Sequence, residues 1–177
     1  MNAYRFALEY AEEPKGWMVF VQGRERDRTH LLAAIANHRR AQGEFPLLVR
    51  VAELLEFLRH AMYADEADQD YFLAKRNLRS WPLLLLDDLE IGQGSEYARR
   101  ELFELLYWRH LARLPTVIST PSALTNLTSD RSWSRLAGLM KNAAGFCSDV
   151  LVGEIPPEQE IVESKAKPSS RRARKAG

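Results

Sequence analysis

A single cysteine, Cys147, stands among 177 residues, so neither an internal disulfide nor a multi-thiolate zinc site can form. No apolar run approaches the roughly 20 residues that a membrane helix needs. The segment Met1 to Lys15 carries Glu9, Glu12 and Glu13 and lacks the basic-then-apolar build of a signal peptide. An excess of one charge is missing too. The 25 Lys and Arg nearly cancel the 24 Asp and Glu, which excludes a uniformly basic nucleic-acid binder. No segment recurs at solenoid spacing. What is present is one domain's length of chain, 46% apolar and 28% charged, enough for a real core. The expected setting is a soluble protein of a reducing, cytoplasmic compartment, with no membrane contact.

Charge is unevenly spread. Six of the basic residues (Lys165, Lys167, Arg171, Arg172, Arg174, Lys175) and none of the acids lie between Ser164 and Gly177, so residues 1–163 carry a net charge of −5. Pro156 and Pro157 punctuate the approach to this tail. The expectation is a folded body over residues 1–153 and a disordered basic extension over 154–177. Two roles stand open for residues 164–177: a solubilising terminus, or a non-specific contact to DNA.

Short continuous apolar runs recur at Trp17–Val21, Leu47–Val51, Leu83–Leu86, Thr116–Ser119 and Val150–Val152. Strands buried on both faces of a parallel sheet read this way. Helical patterns lie between them. Leu31, Leu32 and Ile35 follow the first run, in a helix expected from His30; Leu54, Leu58 and Met62 recur every four residues. Ser95 is a capping residue for a helix to Leu111 with Ala98, Leu102, Leu105 and Leu106 on one face and Arg99, Arg100, Glu101 and Glu104 on the other. A further helix is expected over Trp133–Asn142. This alternation argues a three-layer α/β domain with five parallel strands.

The first strand–helix junction invites comparison with the phosphate-binding loop G-x-x-x-x-G-K-[ST], in which backbone N–H groups and a lysine cradle phosphate and a hydroxyl holds Mg²⁺. The residues after Val21 read Gln22-Gly23-Arg24-Glu25-Arg26-Asp27-Arg28-Thr29. Gln22 replaces the first glycine, Asp27 the second and Arg28 the lysine; only Thr29 matches. By itself this is an ordinary polar turn. The third strand ends in Asp87 and Asp88, a placement that suits Mg²⁺ at the first acid and a polarised water at the second, or else two solvated carboxylates. His30, His38, His60 and His110 lack metal-ligand spacing. Trp81, Trp108 and Trp133 read as core or interface packing residues in preference to base-stacking ones.

Four segments together resemble the DnaC/IstB-like branch of AAA+ ATPases, the bacterial helicase loaders and transposition helper ATPases. They are Gly16-Trp17; Thr29-His30-Leu31 with Ala33-Ala34-Ile35-Ala36-Asn37; Leu84-Leu85-Leu86-Asp87-Asp88-Leu89; and Ala112-Arg113-Leu114-Pro115-Thr116. The resemblance covers about Tyr4 to Gly153. It implies a P-loop NTPase-like fold whose fourth strand lies between the first and third; the amino-terminal helicase-contacting module that many loaders carry, and an extended carboxyl-terminal lid, are expected to be absent. It implies Mg²⁺ at Thr29 and Asp87, a water-polarising Asp88, and Arg135 as an arginine finger presented in trans to a neighbouring subunit. The family's sensor asparagine falls on Pro121, which has no amide, and the phosphate loop is broken at Gln22, Asp27 and Arg28. A carboxylate at Asp27 would repel phosphate and suits a helix amino terminus, so Asp27 is expected to fill the anion site itself, balanced by Arg24, Arg26 or Arg28.

The leading expectation is a degenerate helicase-loader-type AAA+ protein of DNA replication, weak or inactive on ATP and Mg²⁺, acting as a binding or regulatory module. Its partner would be a replicative helicase or an active AAA+ paralogue. One alternative is an active ATPase that binds ATP through a remodelled loop and loads or remodels a replicative helicase or transposase. Another is an interaction domain unrelated to DNA.

Overall fold

The computed structural model describes residues 3–63, 67–90, 95–122, 134–141 and 147–151. In chain order the elements are α1 (Ala3–Glu12), β1 (Trp17–Val21), α2 (Glu25–Ala41), β2 (Leu47–Arg50), α3 (Val51–Tyr63), α4 (Ala67–Ser80), β3 (Leu84–Asp87), α5 (Glu96–Leu111), β4 (Thr116–Thr120), α6 (Ser134–Lys141) and β5 (Cys147–Leu151). The strands form a single parallel sheet in the order β2-β3-β4-β1-β5. Trp17 pairs with Thr116 and Leu84 also pairs with Thr116, so β4 lies between β1 and β3, as the resemblance implies. The carboxyl ends of these three strands share one rim, where ligands of open α/β sheets bind.

Every residue of β1, β3 and β4 is buried, which is why their sequences show no polar alternation. The two faces are nonetheless distinct. Trp17, Val19, Val21, Leu84, Leu86 and Ile118 pack on α3, α4 and α5 through Val51, Leu54, Leu58, Leu78, Leu102 and Leu106. Met18, Phe20, Leu85 and Val117 pack on α2 through Leu31, Leu32 and Ile35, and on α1 through Ala3, Ala7 and Tyr10. Helices on both faces make three layers. Among the described residues, no helix is long and apolar enough to cross a membrane.

Several expectations need correction. The helix after β1 begins at Glu25 rather than His30, because Glu25 and Asp27 in its first turn favour the positive end of the helix dipole. The third strand runs Leu84–Asp87 and the fifth Cys147–Leu151. Helices α1 and α4 were not expected at all. Glu101, assigned to the polar face of α5, is buried against Lys75 of α4 at 2.8 Å. Trp133, the tail and the body–tail boundary lie outside the described residues.

Arg109 of α5 is a second buried charge that pattern reading missed, fully enclosed with no carboxylate partner among the described residues. Its guanidinium donates to the carbonyls of Leu78 (3.0 Å), Trp81 (2.7 Å) and Pro115 (2.6 Å) and to the Thr116 hydroxyl (3.0 Å). It thereby joins the last turn of α4 to the start of β4, with its charge at the negative end of α4. Burial brings its pKa down to about 10, so the charge persists at neutral pH.

Candidate functional site

The rim site is built from the ends of β1, β3 and β4 and the first turn of α2. The Gln22 N–H donates to the Thr120 carbonyl at 2.9 Å, carrying the β1–β4 pairing one residue past the strand. The chain then turns sharply, with Gln22 at φ 60° and Gly23 at φ 71°. Arg24 is extended and precedes the helix, so only three residues separate β1 from α2. A phosphate loop needs backbone N–H groups that face inward from a wider turn. Here the N–H groups of Asp27 and Arg28 both donate to the Arg24 carbonyl, at 3.1 and 3.2 Å, as parts of a helical turn.

The inside of the turn is taken by the Arg28 guanidinium. It donates to the carbonyls of Gln22 (3.2 Å) and Gly23 (2.7 Å) and pairs with the Asp88 carboxylate at 2.9 Å, with 3% of the side chain exposed. Asp27 is buried beside it and accepts from the Arg24 Nε at 2.9 Å. The cradle therefore faces a cation with carbonyl oxygens. The expectation that the Asp27 carboxylate fills the anion position is corrected in this respect: inward-facing carbonyls attract a guanidinium and repel a carboxylate.

Asp87 and Thr29 meet, as the resemblance implies. Thr29 Oγ1 donates to Asp87 Oδ2 at 2.7 Å, and Ser119 Oγ donates to Asp87 Oδ1 at 2.6 Å. Asp87 is 3% exposed and both oxygens are engaged. The same Ser119 hydroxyl accepts from the Asp88 N–H at 2.8 Å, and its carbonyl accepts from the Leu89 N–H at 2.7 Å. Asp88 is held at φ 56°, a left-handed conformation that Asp tolerates better than most residues and that costs some strain. Ser119 is the residue that sequence reasoning missed. Its signal was the hydroxyl pair Ser119-Thr120 following Val117-Ile118 at the end of β4.

The structure thus brings Gln22, Gly23, Asp27, Arg28, Thr29, Asp87 and Asp88 together. Pro121 follows β4 directly and is exposed. Arg135 is not part of the cluster: exposed on α6, it lies with its guanidinium 4.6 Å from the Phe103 ring centroid of α5. At such an exposed site a cation–π contact contributes about 0.5–1 kcal/mol.

No family model matches the chain. Curated relatives include the chromosomal replication initiator protein DnaA of Aliarcobacter butzleri (strain RM4018), 24% identical over 172 residues, covering 93% of this chain and 36% of the relative. The DnaA of Helicobacter pylori (strain J99 / ATCC 700824) is 27% identical over 173 residues, covering 93% and 35%. The replicative helicase loader DnaC of Escherichia coli (strain K12) is 24% identical over 131 residues, covering 72% and 53%. The chain therefore spans about a third of the length of these initiators and about half of the loader. Among solved structures, AMPPCP-bound DnaA from Aquifex aeolicus has a TM-score of 0.70 at 18% identity, covering 92% of this chain and 50% of that one. The DnaC helicase loader has a TM-score of 0.69 at 20% identity, covering 86% and 92%. In sequence and fold the chain is similar to DnaC-type helicase loaders and DnaA initiators, in agreement with its resemblance to the DnaC/IstB-like AAA+ proteins.

Proposed function

We propose that this chain is a helicase-loader-type AAA+ module of DNA replication that works in the cytoplasm without binding a nucleotide of its own. The observation that carries this reading is the Arg28 guanidinium, hydrogen-bonded to Gln22 and Gly23 and paired with Asp88 inside the turn. Phosphate would have to evict it, unwind the first turn of α2 to free N–H groups, and sit beside the Asp27 carboxylate. Each of these costs free energy that a glycine-rich loop does not incur. Mg²⁺ is bound through one or two carboxylates together with substrate phosphates. With the phosphate position taken by Arg28, the site lacks the phosphate oxygens that would complete Mg²⁺ coordination beside Asp87 and Thr29.

The rim then serves as scaffold: Arg28, Asp88 and Ser119 lock β1, β3 and β4 to α2, and the module acts by contact with a replicative helicase or an active AAA+ paralogue. Toward such a paralogue Arg135, exposed on α6, is the side chain available to complete a neighbouring nucleotide site in trans. The test is co-sedimentation of the full chain with a replicative helicase, with and without Mg-ATP. Association that nucleotide does not change is expected. Association that requires ATP would favour a nucleotide-binding loader, and no association in either condition would favour an interaction domain outside replication.

A further inference from the structure

Away from the strand ends, two cavities adjoin on the surface where α4 meets α5 and the starts of β2 and β3. The larger, about 630 Å³, is lined by Phe72, Arg76 and Arg79 of α4, by Trp108 of α5, and by Ala112 and Leu114 just beyond it. The smaller, about 430 Å³, is walled by Phe45, Pro46, Trp81 and Pro82. Ser80 lines both, so they form a groove with two apolar sockets. Its large side chains are unusually open to solvent: Phe45 is 82% exposed, Phe72 65% and Trp108 50%. Rings of this size in adjoining concavities are what an interface uses as anchor pockets.

Charge says what kind of occupant fits. Lys75 is matched by Glu101 and Glu104, and Arg79 by Glu104, while Arg79 also lies 5.3 Å over the Trp108 ring. Glu44 is tied to Arg39. Arg76, which lines the larger cavity, makes no ion pair among the described residues and is exposed. The groove therefore offers a spare cation, Arg76, beside apolar sockets. A phosphate backbone carries a charge at every nucleotide and would find a single unpaired cation lining the groove to neutralise it.

From this arrangement we propose that the α4–α5 groove is a docking site for a protein segment that inserts two apolar side chains and places a carboxylate against Arg76. This does not depend on how the strand-end site treats nucleotide.

The test is selection of phage-displayed linear dodecapeptides on the full chain, followed by anisotropy of the best peptide labelled with fluorescein. Peptides with two apolar residues flanked by Asp or Glu are expected. Arg76→Glu and Phe72→Ser should each weaken binding about tenfold or more, Arg76→Lys much less, with melting temperatures unchanged because both side chains are exposed. Trp108→Ala provides a third arm. Failure to enrich such peptides above the Arg76→Glu chain, or binding indifferent to all three substitutions, overturns the proposal. Tighter binding of labelled oligo(dT), lost with the same substitutions, overturns it in favour of single-stranded nucleic acid.

Discussion

Replacing Arg28 by Met keeps the side chain's apolar stem and removes only its guanidinium, so it asks whether that group holds the apo protein together. Three hydrogen bonds are lost, at 3.2 and 2.7 Å to carbonyls and at 2.9 Å to Asp88. A hydrogen bond to a charged group contributes about 1.5–3 kcal/mol when buried. Gln22 and Gly23 are exposed, so water replaces the lost donor at their carbonyls, and Asp88 keeps 23% side-chain exposure. Counting little more than one fully buried charged contact gives a loss of ~2–4 kcal/mol. At about 2–4 °C per kcal/mol for a chain of this size, the melting temperature should fall by roughly 4–16 °C. Far-ultraviolet circular dichroism of the nucleotide-free full chain reads it. A cation kept for a ligand behaves otherwise: its removal leaves the apo protein unchanged or more stable, as at many functional positions. A melting temperature within about 2 °C of the parent, or above it, refutes the latch.

Other perturbations read other parts of the account. Arg109→Met strands the carbonyls of Leu78, Trp81 and Pro115 inside the protein and should cost about 3–5 kcal/mol by urea denaturation; a cost under about 1 kcal/mol would contradict the role assigned to it. The hydrogen bond from Lys75 lowers the Glu104 carboxyl below its ordinary 4.5, so its contribution is present above that pH and lost as pH falls through the lowered value; Glu104→Gln should flatten the acid limb of a melting-temperature profile. On the basic side, burial alone would lower the Lys75 ammonium, yet its bonds to Glu101 and Glu104 outweigh burial and raise it, so that contribution holds below 10.5 and fades as pH rises through the raised value. Deleting residues 164–177 should abolish weak DNA binding and flatten its salt dependence by several units, at about −0.9 per neutralised phosphate; a full chain indifferent to DNA at low salt would leave the tail a solubilising terminus.

The layered fold was legible because β1, β3 and β4 are buried on both faces, giving unbroken apolar runs in β1 and β3 and an apolar centre, Val117-Ile118, in β4. α1 hid because its buried side is mostly alanine, at positions 3, 7 and 11, with Tyr4 and Leu8 exposed beside them. α4 hid because its sequence is largely polar, with Leu78 its fully buried apolar residue among those described. Thr29 and Asp87 could be paired from the sequence because the family pattern fixes them. Arg28 could be recognised as a departure, but its destination could not: Asp88, 60 residues on, is joined to it only by the fold. Glu101 and Arg109 were beyond pattern reading for the same reason. A charged residue on a helix is ordinarily solvated, and only the partners at Lys75 and at the end of α4 make burial tolerable.

The central claim is that the strand-end site is closed to nucleotide, and a Mg-ATP titration of the unmodified full chain followed by thermal denaturation tests it most directly. A ligand bound only by the native state at 100 times its dissociation constant stabilises by about 2.7 kcal/mol, or roughly 5–11 °C here. The account expects no saturable shift up to millimolar Mg-ATP; a saturable rise of several degrees would contradict it.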